Sequence, residues 1–243
     1  MIAFRRWTIL IHRYLGIALG LLFVMWFVSG IAMIYTGGMP SLDPDERLTR
    51  LPPLDLGRVL ISPFEAATRA ELRSRPERVV LLTIMDRPAY RFGGVRPVTV
   101  FADTGYILHA VGQAESLAIA SRFMNVPTAS LRHDRLLDRA DQWTIGQRRQ
   151  LPLHRIVVGD AARTELYVSA PLGEVVMQTT RVNRSLAWIA AIPHWLYFTP
   201  LRVRNDLWNS VVLWTSGLGA VSALAGLILA VTQYRVRYSG LMR

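Results

Sequence analysis

The sequence predicts a membrane α+β protein, in which two transmembrane helices enclose an extracytoplasmic region of two helix-plus-antiparallel-sheet units. Two apolar runs, Leu15–Tyr35 and Val211–Thr232, are each about 21 residues long. At about 1.5 Å per residue, that length matches the roughly 30 Å hydrocarbon core of a bilayer. Between the runs, short apolar segments alternate with turn residues, as in antiparallel sheets. A hydrophobic content of 51% in a chain of net charge +11 also favours membrane insertion.

The distribution of charge along the chain predicts the topology. All 17 acidic residues lie between Asp43 and Asp206. The charged residues before the first apolar run and after the second are arginines, namely Arg5, Arg6, Arg13, Arg235, Arg237 and Arg243. The positive-inside rule therefore places both termini in the cytoplasm and the central region on the outer side. Basic residues in the central region are interspersed with acids, so the high net charge does not indicate a nucleic-acid-binding surface.

The first apolar helix carries a histidine and two glycines on one face. His12, Gly16 and Gly20 follow an i, i+4, i+8 spacing, which aligns them along the helix. One interpretation is a haem edge, because imidazole ligates iron and glycines let a flat macrocycle approach the backbone. The other is a helix-packing groove with a histidine at the membrane interface. The spacing alone leaves both open.

The region after this helix begins with a linker, 37–60, rich in Gly, Pro, Asp and Ser. Ser62 followed by Pro63 and Glu65 predicts a capped helix at the start of the first unit, 61–125. A second unit, 126–185, repeats the pattern of strand, glycine turn and strand, which suggests a weak internal duplication. Across both units, strands are predicted at 79–85, 90–92, 98–101, 106–111, 153–158, 164–169 and 174–179, and a helix at 113–124.

The chain returns to the membrane through an aromatic segment. Within residues 186–206, the apolar part Leu186–Leu201 is about 16 residues long and too short to cross comfortably, and its tryptophans and tyrosine favour the membrane–water interface. In the second transmembrane helix, Gly219 and Ala223 have the spacing of a close helix contact. The predicted segments are thus 1–36 (cytoplasmic tail and first transmembrane helix), 37–60 (linker), 61–125 and 126–185 (the two units), 186–206 (interfacial segment), 207–234 (second transmembrane helix) and 235–243 (cytoplasmic tail).

Motifs for hydrolysis or nucleotide binding are missing from the sequence. It has no cysteine, so a disulfide framework and thiolate chemistry are excluded. No HExxH, phosphate loop, dinucleotide fingerprint or Ser-His-Asp order is present. His109, His133 and His154 have no partner at metal-ligand spacing, and each is interpreted as a surface or sheet residue rather than a ligand.

Two stretches resemble a known family. The run IHRYLGIALGLLFVMWFVSGIAMIY looks like the first segment of the PepSY-associated transmembrane family, and AWIAAIPHWLYF with the following glycine- and alanine-rich helix is similar to its downstream segment. The helix-then-sheet units between them resemble PepSY domains. The resemblance covers nearly the whole chain, and its most specific part is His12-Arg13-Tyr14-Leu15-Gly16.

The resemblance implies an inner-membrane protein of iron and siderophore utilisation. Some members act as haem-containing reductases, so it implies haem b as cofactor, with His12 and His194 as the candidate axial ligands of haem iron. With the predicted topology, these two histidines lie on opposite sides of the bilayer and cannot bind one iron. Each would need a histidine from another chain, in a homodimer or another membrane subunit. The alternative is a non-enzymatic accessory subunit that binds a siderophore or periplasmic protein, or stabilises a larger membrane complex.

Overall fold

The computed structural model describes residues 2–72, 74–94 and 97–241. Within it the chain forms two compact units, one of Met1–Met39 with Ser185–Arg243 and one of Pro40–Arg184. Arg243 of the predicted cytoplasmic tail lies outside the described residues, as do the side chains of Arg235 and Arg237.

The first unit is built on two long apolar helices, α1 (Ile2–Thr36) and α8 (Asn205–Leu241). Their apolar portions, Ala3–Thr36 and Asn205–Thr232, have mean hydropathies of 2.4 and 1.8 and are long and apolar enough to cross a membrane. Only 11% and 17% of the most apolar windows are buried within the chain. The remaining apolar surface is therefore compatible with contact to a lipid bilayer.

Three short helices lie ahead of α8 along the chain: α5 (Arg181–Ile189), α6 (Ala191–Trp195) and α7 (Thr199–Arg202). The Trp208 indole N–H donates to the Trp195 carbonyl at 3.0 Å, which links the start of α8 to the end of α6. The Arg202 guanidinium lies 4.6 Å from the centroid of the Trp208 ring. This segment corresponds to the predicted interfacial region.

The second unit contains two antiparallel sheets of four strands each. The sequence predicted two antiparallel sheets with helices, but only three strands for the second sheet. The first half consists of α2 (Pro44–Thr49), α3 (Pro63–Arg69) and the meander β1 (Val79–Ile84), β2 (Arg87–Phe92), β3 (Val98–Phe101) and β4 (Ile107–Leu108). The predicted cap of α3 is confirmed, because Ser62 Oγ accepts a hydrogen bond from the Glu65 N–H at 3.1 Å.

The second half consists of α4 (Gln113–Met124) and the meander β5 (Leu131–Leu137), β6 (Leu153–Val158), β7 (Glu165–Ser169) and β8 (Glu174–Thr179). Strand β5 was not predicted, because LRHDRLL is rich in charge; it is an edge strand with several exposed residues. Helix α4 ends at Asn125, which adopts the left-handed conformation typical of a helix C-terminus.

The two sheets and α4 share one hydrophobic core. Ala120 and Phe123 of α4 belong to a buried cluster that includes Ile84 from the first sheet and Ile156 and Val175 from the second. Helix α4, which falls in the first predicted unit, thus packs mainly against the strands of the second sheet, and its buried residues belong to the same cluster as Ile84 of the first. Burial of this apolar surface stabilises the association of the two sheets within one unit.

The β7–β8 turn links the two sheets by polar contacts and by close packing. Arg91 on β2 forms an ion pair with Glu174 at 2.7 Å and donates to the Leu172 carbonyl at 2.7 Å. Gly173 has a φ of +62°, and a Cβ there would stand 3.1 Å from both Ile84 Cγ2 and Leu108 Cδ2. The turn therefore packs directly against the first sheet.

Candidate functional site

His12, the first predicted haem ligand, packs onto α8 of its own chain. Its Nδ1 lies 2.9 Å from the Ser222 carbonyl oxygen. The ring lies over Gly226, where a Cβ would stand 2.6 Å from the imidazole Cε1. Only glycine leaves room for the imidazole at this distance, so Gly226 forms a cradle for the ring.

His194, the second predicted ligand, packs onto α1 in the same way. Its Nδ1 lies 3.1 Å from the Trp26 carbonyl oxygen. The ring lies over Gly30, where a Cβ would stand 2.9 Å from the imidazole Cε1. The nearby Ser29 hydroxyl donates to the Met25 carbonyl at 2.6 Å and so satisfies its own hydrogen-bonding requirement within α1.

The two histidine sites share one local geometry. In each, the imidazole lies on a glycine, and its Nδ1 reaches the carbonyl four residues earlier on the same helix. A carbonyl oxygen can only accept a hydrogen bond, so Nδ1 carries the hydrogen in both rings. The lone pair of each neutral ring is therefore on Nε2, the atom then available to ligate a metal.

The distance between the two sites follows from α1. His194 contacts Gly30, which is 18 residues after His12 on the same helix. At about 1.5 Å per residue, 18 residues correspond to about 27 Å along the axis. The two Nε2 atoms therefore cannot ligate the same iron.

Of the residues predicted to form helix–helix contacts, Gly16 and Gly219 lie close to the other long helix, and Gly20 and Ala223 do not. A Cβ at Gly16 would lie 4.0 Å from Ser222 Oγ, and one at Gly219 would lie 2.7 Å from the Phe23 ring, so both glycines face the other long helix. A Cβ at Gly20 would meet no heavy atom within 4 Å. Ala223 is exposed.

A pair of histidines that the sequence analysis interpreted separately meets in the second unit. His133 Nε2 lies 3.0 Å from His154 Nδ1, and His154 Nε2 lies 2.9 Å from the Val111 carbonyl oxygen. The two residues are 21 positions apart and come together only through the pairing of β5 with β6. His133 is paired with Ile156, so His154 is its diagonal neighbour on β6, and no spacing rule in the sequence reveals this contact.

A cleft of about 720 Å³ lies between α4, the β1–β2 turn and the β7–β8 turn. Ala118, Ile119 and Phe123 form its α4 wall. Met85 and Asp86 of the β1–β2 turn also line it, with φ values of +48° and +61°. Two-residue turns of this kind favour Gly, Asn or Asp, so a methionine here carries a conformational cost that its place in the cleft and against the core offsets.

Arginine side chains make ion pairs and an aromatic contact at the cleft and on the first sheet. Arg122 is paired with Asp86 at the mouth, and Arg50 lies 4.9 Å from the centroid of the Phe123 ring. Elsewhere in the first sheet, Arg87 makes two 2.8 Å hydrogen bonds to Asp103 and thereby lowers the pKa of that carboxyl.

Over the described ranges 2–72, 74–94 and 97–241, no group of three or more His, Asp or Glu side chains is arranged to hold a metal ion.

Comparison with known proteins gives no relative from which to assign a family. No family model, curated protein or solved structure matches the chain. The PepSY resemblance therefore stays a prediction.

Proposed function

We propose that this chain is a bacterial inner-membrane protein that binds haem b through His12 and His194 and serves in electron transfer for ferric-siderophore or related iron utilisation. One observation carries the proposal: both imidazoles are held on apolar helices with Nδ1 bonded to a backbone carbonyl and the Nε2 lone pair left for iron. A ligating histidine in proteins almost always donates its other ring N–H in this manner. The bond fixes the ring and increases its basicity.

The residues of this chain position each imidazole. Gly226 and Gly30 let the rings lie flat against a helix, and the Ser222 and Trp26 carbonyls hold Nδ1–H. When bound, haem iron supplies one-electron transfer, with a potential set by its axial ligands and their hydrogen bonds. With α1 and α8 across the membrane, the two sites occupy opposite leaflets about 27 Å apart.

A second subunit completes each site in this proposal. Bis-histidine ligation needs one more imidazole per iron, and the separation of His12 from His194 prevents them from supplying it to each other. His12 is exposed on the isolated chain, and Gly20, two turns along α1, leaves an open surface. A homodimer or another membrane subunit packing on this face would bring the opposing ligand.

Single histidine substitutions test the ligand assignment. His12→Ala and His194→Ala are each expected to remove about half of the reduced b-type absorbance, and the double variant all of it, because each iron loses an axial ligand. The measurement is the absorption spectrum of detergent-purified full chain, normalised to protein. His109→Ala, at an exposed histidine of the second unit, is the matched control and should leave the spectrum unchanged. A full spectrum in the double variant would contradict the assignment.

A second candidate function is non-enzymatic, and the cleft favours it. Its volume of about 720 Å³ falls within the roughly 300–1,000 Å³ of small-molecule sites. In this proposal the PepSY-like region is periplasmic and binds a siderophore or a periplasmic protein, as an accessory part of a larger membrane complex.

Filling the cleft tests this candidate. Ala118→Trp places an indole on the α4 wall and is expected to weaken binding of a ferric hydroxamate or catecholate siderophore by about a hundredfold, the equivalent of about 3 kcal/mol. Equilibrium binding to the full chain in detergent measures the effect. Ala161→Trp, at an exposed position of the β6–β7 turn that does not line the cleft, is the control. Absence of binding by the unsubstituted chain would remove siderophores as the ligand.

A further inference from the structure

We propose that His133, His154 and the Val111 carbonyl form a proton-controlled fastener, which holds the start of α4 on the second sheet at neutral pH and releases it in acid. The fastener is a continuous chain of two hydrogen bonds, 3.0 Å between the imidazoles and 2.9 Å to the carbonyl. It stands apart from the haem proposal and from ligand binding in the cleft. It would regulate the cleft only because α4 forms one of the cleft walls.

The hydrogen positions in this chain are determined by the carbonyl. The Val111 oxygen can only accept, so His154 carries its hydrogen on Nε2. In the neutral pair, His154 Nδ1 then accepts, and His133 Nε2–H must donate to it. His154 is 5% exposed, so these groups have little access to water as an alternative partner.

The hydrogen bond between the two rings survives the addition of one proton but not of a second. One added proton goes to His133 Nδ1, the ring nitrogen outside this hydrogen-bond chain, and a single hydrogen still lies between the facing nitrogens. A second proton places an N–H on each side of the 3.0 Å contact and adds a second positive charge. The hydrogen bond is then lost, and the rings separate.

The surrounding charges set the direction of the response. Asp134, next to His133 on β5, favours a proton on His133, but burial and the neighbouring His154 outweigh it and lower the pKa of His133. The arginines near Asp134 are Arg132, Arg135 and Arg155, and each forms an ion pair with it. Glu165 on β7 is bonded to Arg155. On α4, Glu115 accepts from the Gly112 N–H, and Arg122 pairs with Asp86.

The lowered pKa of His133 fixes the sign of the pH dependence. Above the ordinary histidine pKa of about 6.5, His133 is neutral in both the folded and the unfolded chain. As the pH falls below that value, the unfolded chain takes up the proton first, so the free energy of unfolding decreases until the folded pKa is passed. Acid therefore weakens the fold at this point, in the same direction as the loss of the hydrogen bond.

The position of the fastener makes its opening local. His154 lies on the same face of β6 as Ile156, which packs in the core shared with α4. Val111 lies just before Gly112, the N-cap of α4, and its N–H donates to the Ala170 carbonyl at 2.9 Å. Loss of the His154 bond leaves this segment attached by the Val111 N–H and by side-chain packing. The expected motion is opening of 108–115, not unfolding of the sheet.

Hydrogen exchange of the full chain in detergent tests the fastener. Between pH 7.5 and pH 5.0, after correction for intrinsic rates, exchange protection of 108–115 is expected to fall about tenfold. His133→Gln keeps an N–H donor at the Nε2 position and cannot be protonated, so it should reduce this change to less than about twofold. His154→Gln, which likewise cannot be protonated, should do the same.

The control and the contrary result are specific to this segment. His109→Gln removes an exposed histidine from the same unit and should retain the tenfold change. An acid response of 108–115 that persists in both His133→Gln and His154→Gln would overturn the proposal, as would unchanged protection in the unsubstituted chain. Neither result bears on haem, because the substituted residues belong to the other unit.

Discussion

Glu174→Gln is expected to lower the free energy of unfolding of the sheet-bearing unit by about 3 kcal/mol. Glu174 is 8% exposed and receives ion pairs from Arg91 at 2.7 Å and from Arg47 at 2.6 Å. The Arg91 side chain is itself only 13% exposed. Removing the carboxylate charge therefore leaves a guanidinium buried without full compensation, which costs more than the pair itself contributes.

The measurement for Glu174 is urea-dependent hydrogen exchange of β2 and β8 in the full chain, held in detergent. Glu65→Gln is the matched control, because Glu65 pairs with Arg69 through side chains that are 47% and 45% exposed. Exposed pairs contribute little, so this control should change stability by no more than about 0.5 kcal/mol. Equal effects of the two substitutions would show that the link between the sheets does not depend on this ion pair.

Gly173→Ala is expected to destabilise the same unit by about 3 kcal/mol, from two additive causes. The φ of +62° disfavours any residue with a Cβ, and that Cβ would stand 3.1 Å from Ile84 and from Leu108. Ile84 is buried in the core, so it has little freedom to move away. The β7–β8 turn would then shift from its seat on the first sheet.

The same urea-dependent exchange measures the Gly173 effect. Gly146→Ala is the control, since a Cβ at Gly146 would meet no heavy atom within 4 Å. That substitution should leave stability within about 0.5 kcal/mol of the unsubstituted chain. If Gly173→Ala were equally neutral, the turn could not be packed against Ile84 as the structure shows.

Elements with a strong local signal were predicted well from the sequence. The strands Val98–Phe101, Leu153–Val158 and Glu174–Thr179 and the helix Gln113–Met124 have the predicted bounds. Each is an apolar or periodic run between turn residues, so local pattern and tertiary structure agree. The long apolar helices were also predicted, and both extend beyond their apolar runs because arginine and polar residues continue the helix.

The features that the sequence did not reveal depend on contacts distant in the chain. Strand β5 gains its order from pairing with β6, although three of its seven residues are charged. The His133–His154 contact depends on the pairing of those two strands, which places His154 diagonally across from His133. The cradle of His194 is Gly30, 164 positions earlier, and that of His12 is Gly226. Glycine spacing suggested helix packing on α1, but could not indicate that an imidazole would fill the space on each partner helix.

The absorption spectrum of the unsubstituted full chain tests the haem assignment most directly. The chain should be purified in mild detergent from haem-replete cells that express it with its natural neighbours, so that any partner subunit is present. We predict a reduced b-type Soret and α-band, carried by His12 and His194. A colourless preparation under these conditions would contradict haem binding and leave the glycine-cradled histidines as contacts that fasten α8 and α6 to α1.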